Sequence, residues 1–139
     1  MIELLLASCA ICGLAIASYF SLVYYDVLEP DNRWIPSFCR MERQSCIYIL
    51  STPQAKVFRV PNSVLGVLYY AAILVLPISV FEIYFLIASI FAVGIGMYLV
   101  HALIVKLRTP CPLCYTAHGI NLVIANLLIV REIQAHFVQ

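Results

Sequence analysis

The chain has 139 residues, 64% of them hydrophobic and 11% charged, with a formal net charge of +1 and a mean hydropathy of +1.00. That balance excludes an ordinary soluble domain, whose charged share is about 25%. With no basic patch or arm it also excludes a nucleic-acid partner. A lipid bilayer is the expected surrounding, and an all-α membrane protein the expected fold class.

Residues 2–24 are the first apolar stretch. As helix they are long enough for the hydrocarbon layer, roughly 30 Å thick, which needs about 20 residues. A secretory signal peptide would begin with basic residues and carry a short apolar core. Here Glu3 stands at the start and the run is long, so it reads as an uncleaved span. Cys9 and Cys12 lie inside it as a Cys-x-x-Cys pair. Far from any helix start and desolvated, they read as packing residues.

Residues 26–62 form the one long hydrophilic loop, with five of the eight Lys and Arg residues (33, 40, 43, 56 and 59) and the single Trp. PDNRWIP reads as turn and extended chain. SFCRMERQSCIYIL reads as a short helix with Ser37 as its cap, and it carries Cys39 and Cys46. STPQAKVFRVPN returns the chain to the membrane, where Pro61, Asn62 and Ser63 start the second span, residues 63–80. On that helix Asn62, Gly66 and Tyr69 share a face. Gly66 allows close helix approach, and Tyr69 and Tyr70 offer flat surface with polar tips. Asn62 stands at the entrance, able to hydrogen-bond a carbonyl. ISVFEIY is so short a link that the second span and the third, residues 83–105, are expected to make a hairpin.

The fourth span, residues 110–130, opens with TPCPLCYTAHGIN. With Thr109 as N-cap, Pro110, Cys111 and Pro112 occupy the first three helical positions, where no backbone N–H is needed for an intrahelical bond. Cys111 and Cys114 are then one turn apart on one face. Unpaired N–H groups and the positive end of the helix dipole favour thiolate over thiol there. His118 and Asn121 continue the same face as a polar stripe, and polar groups at that depth face a cavity or another helix.

An even number of spans brings Cys39, Cys46, Cys111 and Cys114 to one side of the membrane. Four thiols there point to a redox relay or a metal site. Structural zinc sites commonly show two close pairs, whereas six residues separate Cys39 from Cys46, which favours the relay. Two dithiols only exchange electrons with each other, so a terminal acceptor is required. A quinone fits, with flat apolar rings for Tyr or Phe and carbonyls for Asn62 or His118. Seven of the eight Lys and Arg residues lie on the cysteine side and Arg131 on the other. The positive-inside rule would place that side in the cytoplasm, whereas disulfide chemistry belongs on the opposite side. The expectation is a multi-pass protein of the inner or plasma membrane with its cysteine face extracytoplasmic, the inverted orientation being the alternative.

In the loop pair Cys39 and Cys46, the segment STPQAKVFRVPNSVLGVLYY and the CPLCYTAHGIN that opens the last span, the chain resembles the vitamin K epoxide reductase family, in particular its single-domain prokaryotic members. These motifs fall in the family's order over nearly the whole chain. The resemblance implies a four-helix bundle around a quinone pocket, with a fifth short helix in the first loop. It implies that Cys111 and Cys114 are the quinone-proximal redox pair, with Cys114 the thiolate that addresses the ring, and that Cys39 and Cys46 shuttle electrons from a separate thioredoxin-like protein. Asn62 matches the family's carbonyl-binding Asn. His118 stands where animal members often carry Tyr, so a second hydrogen bond has a different chemistry here. The implied activity is electron transfer from the thioredoxin-like partner to a quinone of ubiquinone, menaquinone or vitamin K type, driving disulfide formation. The alternatives are a vitamin K quinone or epoxide reductase and a non-catalytic four-thiolate metal-binding membrane protein.

Overall fold

Twenty-three residues of unbroken apolar sequence form the first helix, α1 (Ile2–Tyr24), over the range that hydropathy predicts. The computed structural model describes residues 1–29, 49–57, 59–108 and 111–137 of the chain. Cys39, Cys46, Thr109, Pro110 and most of the expected loop helix lie outside the described residues; of that helix, residues 49 and 50 are described and are helical, the helix running on to residue 51. A 3-10 turn (Pro53–Ala55) leads into a two-stranded antiparallel hairpin, β1 (Lys56–Val57) and β2 (Val60–Pro61), in the register Lys56 to Pro61 and Val57 to Val60. Arg59 turns the hairpin with a left-handed φ of 68°. The remaining helices are α2 (Asn62–Val75), α3 (Ile78–His101), a π-helical turn (Ala102–Leu107) and α4 (Pro112–Phe137).

Several boundaries differ from the expected ones, the first of them for an identifiable reason. The second span was expected to run to residue 80, but α2 ends at Val75. Pro77 has no N–H to continue the ladder and biases the residue before it towards extended chain, and Leu76 takes φ −87° and ψ 143°. Residues 78–80 therefore belong to α3, and the expected break near residue 81 is reduced to a kink at Phe81, with φ −110° and ψ 18°. At 14 residues α2 is about 21 Å long, short of the hydrocarbon thickness. Three helical stretches, Ile2–Tyr24, Ile78–Leu107 and Pro112–Ala135, are long and apolar enough to cross a membrane, with α2 as a shorter apolar helix among them. The second difference is at the other end of the chain, where α4 runs past residue 130 to Phe137.

The four helices form a bundle in which α1 packs along α2 and α4, α4 packs along α3, and α2 and α3 barely touch. Small residues set the α1–α2 approach: Ala10, Gly13 and Ala17 are buried on α1, and a Cβ added at Gly66 would lie 3.3 Å from the Ala17 Cβ. Close backbone approach of this kind is how helices pack where lipid removes the hydrophobic drive between them. Leu6, Ile124 and Leu128 fill the centre. Of the α1 thiols, Cys9 packs against this core, while Cys12 is exposed on the outer surface rather than sharing the packed face.

The end of the bundle remote from Cys111 is tied by one cation. Arg131 Nε lies 2.9 Å from Glu3 Oε1, and Arg131 Nη1 lies 3.1 Å from Glu82 Oε1, so one guanidinium links α1, α3 and α4. Arg131 and Glu82 are both largely enclosed, which reduces screening by solvent and salt.

Candidate active site

The space left between α2 and α3 is a cavity of about 430 Å³ at the cysteine end of the bundle. That is within the usual range for small-molecule sites, which are concave and mostly apolar with a few placed polar groups. Phe91, Ile95 and Leu99 of α3 line one side, and Leu65, Gly66, Tyr69 and Tyr70 of α2 the other. Leu50, Thr52 and Ala55 of the loop close over the top, with Ala102 and Leu103 from the π-helical turn. The wider π turn lets both of these consecutive residues face inward, and both are buried. Such turns are frequent at functional sites.

Two local contacts hold the roof in place. Thr52 is buried and its Oγ1 donates to the Ile49 carbonyl at 2.6 Å. Lys56 Nζ sits 5.6 Å from the centre of the Tyr24 ring, which attaches the hairpin to the end of α1.

Cys114, Ala117, His118 and Asn121 of α4 supply the third wall. The Tyr115 N–H donates to the Cys111 carbonyl at 3.1 Å, which makes Cys111 the N-cap and Pro112 the first helical residue. The helix start is thus shifted from the expected Pro110. The proline is tolerated there, since Pro112 has no N–H to lose at that position, and Cys114 stays within the first turn. The two sulfur positions differ in surroundings. Cys111 is fully buried in a cluster with Phe20, Val23, Ile49 and Leu103, whereas Cys114 is half-buried and lines the cavity.

Of the expected site residues that fall in the described chain, Asn62, Tyr69, Cys114, His118 and Asn121 line this cavity, and Cys111 is packed behind its wall. Asn62 makes no capping bond; Pro61 is the N-cap of α2. The two tyrosines are fixed by their hydroxyls. Tyr70 donates to Asn121 Oδ1 at 2.6 Å, joining α2 to α4. Tyr69 lies 2.6 Å from Ser89 Oγ on α3, and Ser89 Oγ donates its one proton to the Phe85 carbonyl at 2.7 Å, so Tyr69 is the donor between them. Sequence reasoning passed over Ser89, Gly13 and Gly96. Their signal is weak: a lone Ser and two small residues within apolar spans, whose meaning depends on what the neighbouring helix presents.

The donor set and shape fit a flat carbonyl-bearing ring. The walls are aromatic and aliphatic, the polar groups are few, and the buried Ser63 Oγ, which lacks a hydrogen-bond partner, belongs to a residue of the lining. Such groups are costly unless something satisfies them. The family model of the vitamin K epoxide reductase family matches residues 4–129. No curated protein matches the chain.

Proposed function

Since the chain belongs to the vitamin K epoxide reductase family, a family of membrane oxidoreductases that use quinones as electron acceptors, we propose that it is a quinone-dependent thiol oxidase driving disulfide formation. The observation that carries this reading is the position of Cys114, in the first turn of α4 and in the wall of an apolar cavity. A bound quinone supplies a two-electron, two-proton acceptor. The chain's own part is two successive thiol–disulfide exchanges, each an attack of a thiolate on a disulfide sulfur. A reduced thioredoxin-like dithiol reduces the Cys39–Cys46 disulfide, and Cys39 and Cys46 reduce Cys111–Cys114. Re-formation of the Cys111–Cys114 disulfide at the cavity wall releases two electrons and two protons, which convert quinone to quinol. Asn62 and His118 orient the ring through its carbonyls, and Tyr69 and Asn121 form the wall against which it lies.

The purified protein, given a reduced thioredoxin-like donor and a short-chain ubiquinone or menaquinone, is expected to consume one quinone for each donor disulfide formed. Donor oxidation without quinone consumption would sink the proposal. Turnover of the epoxide in place of the quinone would favour the reductase reading.

The cysteine face is proposed to be extracytoplasmic, as disulfide formation requires in most cells. One observation favours the inverted orientation: Arg59, Lys106 and Arg108 are exposed at the cysteine end of α2 and α3, close to the span ends, where positive charge counts most. A reporter fused at the Leu76–Pro77 turn is expected to be cytoplasmic. An extracytoplasmic reporter would establish the inverted form.

A further inference from the structure

Four buried side-chain polar atoms among the described residues lack a hydrogen bond. Two of them, Glu82 Oε1 and Arg131 Nη1, face each other as an ion pair. Of the other two, His118 Nδ1 has surroundings that decide its chemistry. α3 passes the imidazole at Gly96, which is buried; a Cβ there would lie 2.8 Å from Nδ1, 3.3 Å from Cγ and 3.5 Å from the His118 Cβ. The Nδ1 edge of the ring therefore rests on bare backbone, closer than any side chain at position 96 would permit. Nε2 points away from Nδ1 across the ring and is not among the buried unpartnered atoms, and His118 lines the cavity, so Nε2 is the nitrogen left for it.

A hydrogen on Nδ1 would be a buried N–H with no acceptor, which folded proteins avoid more strictly than a bare acceptor. A quinone carbonyl can only accept. One tautomer meets both conditions, with the hydrogen on Nε2. We infer that Gly96 is a positioning residue for the quinone reaction: by lacking a side chain it seats His118 so that Nε2–H, and not Nδ1, is presented to a quinone carbonyl. This rests on the quinone reading above and adds to it which nitrogen binds and what holds it there.

The test uses the full-length protein in detergent with ¹⁵N-labelled histidine, the His118 signals being those lost in His118→Ala. A soluble short-chain quinone is the probe. The wild-type protein is expected to carry its hydrogen on Nε2, and the probe to shift the Nε2 signal while leaving Nδ1 in place. Gly96→Ala is expected to weaken probe binding about tenfold in the wild-type background, the loss of one well-placed hydrogen bond. In the His118→Ala background the same change is expected to cost less than about twofold, because the group it displaces is gone. A hydrogen on Nδ1, or an equal loss in both backgrounds, overturns the inference. If the wild-type protein has the stated tautomer but binds no probe, the quinone reading fails, and with it the donor role of Nε2; binding that depends on Asn62 but not on His118 or Gly96 removes the inference alone.

Discussion

Replacing Cys114 with serine is expected to lower quinone reduction by about a thousandfold or more, to the level of the uncatalysed reaction, because in the proposed relay the substitution removes a reacting sulfur rather than a contact. Among the described residues Cys114 is the one thiol in the cavity wall; Cys111 is sealed behind it by Phe20, Val23, Ile49 and Leu103. The two cysteines should therefore fail differently. Cys111→Ser also loses turnover, since no disulfide can close, but it keeps a thiol on the cavity, so a small apolar alkylating reagent still modifies Cys114 and a quinone analogue still protects it. Cys114→Ser loses both the turnover and the protected modification. Cys9→Ala and Cys12→Ala serve as controls expected to retain turnover: Cys9 is packed into the core and Cys12 faces outward from α1, neither lining the cavity. Turnover of Cys114→Ser within about tenfold of wild type would exclude it as the quinone-facing sulfur.

The parts of this site that depend on local sequence were legible, and those that depend on a partner helix were not. Cys114, His118 and Asn121 share a helical face by spacing alone, and that face does border the cavity. Asn62 sits at a helix start that its neighbouring proline announces. Hydropathy found the four apolar stretches but placed the α2–α3 break too late, because a window average is insensitive to the one residue, Pro77, that ends the helix. Tyr69 and Tyr70 were visible as a pair, yet nothing local says that one hydroxyl goes to Ser89 on α3 and the other to Asn121 on α4. Gly96 and Gly13 are the extreme case. A glycine in an apolar span reads as a general licence for close packing, and only the folded bundle shows that one accommodates an imidazole and the other a phenol ring.

Gly13 is where the largest loss of stability from adding a single carbon is expected. Tyr70 is buried, its ring lies against Gly13, and a Cβ on that residue would run into three carbons of the ring. The ring cannot yield by bending, since it is rigid and its far end is held by the 2.6 Å hydrogen bond to Asn121. Gly13→Ala must therefore separate α1 from α2 or break that bond, and Ala17 against Gly66 leaves little slack one turn further along the same interface. The expected cost is about 2–4 kcal/mol, the sum of an overpacked core and a disrupted buried hydrogen bond. Intrinsic helix propensity acts in the opposite direction, by about 1 kcal/mol in favour of alanine. Gly119→Ala isolates that opposing term: Gly119 is exposed on α4 and an added Cβ there meets nothing within 4 Å, so this variant should be as stable as wild type or more so. Thermal unfolding in detergent would measure both, together with Gly13→Ala in a Tyr70→Ala background, where the added methyl should cost less than about 0.5 kcal/mol if its partner is the ring. The same displacement reshapes a wall of the cavity, so Gly13→Ala should also weaken quinone binding without touching a cysteine. A Gly13→Ala protein as stable as Gly119→Ala would show that the α1–α2 interface is not set by the Tyr70 ring.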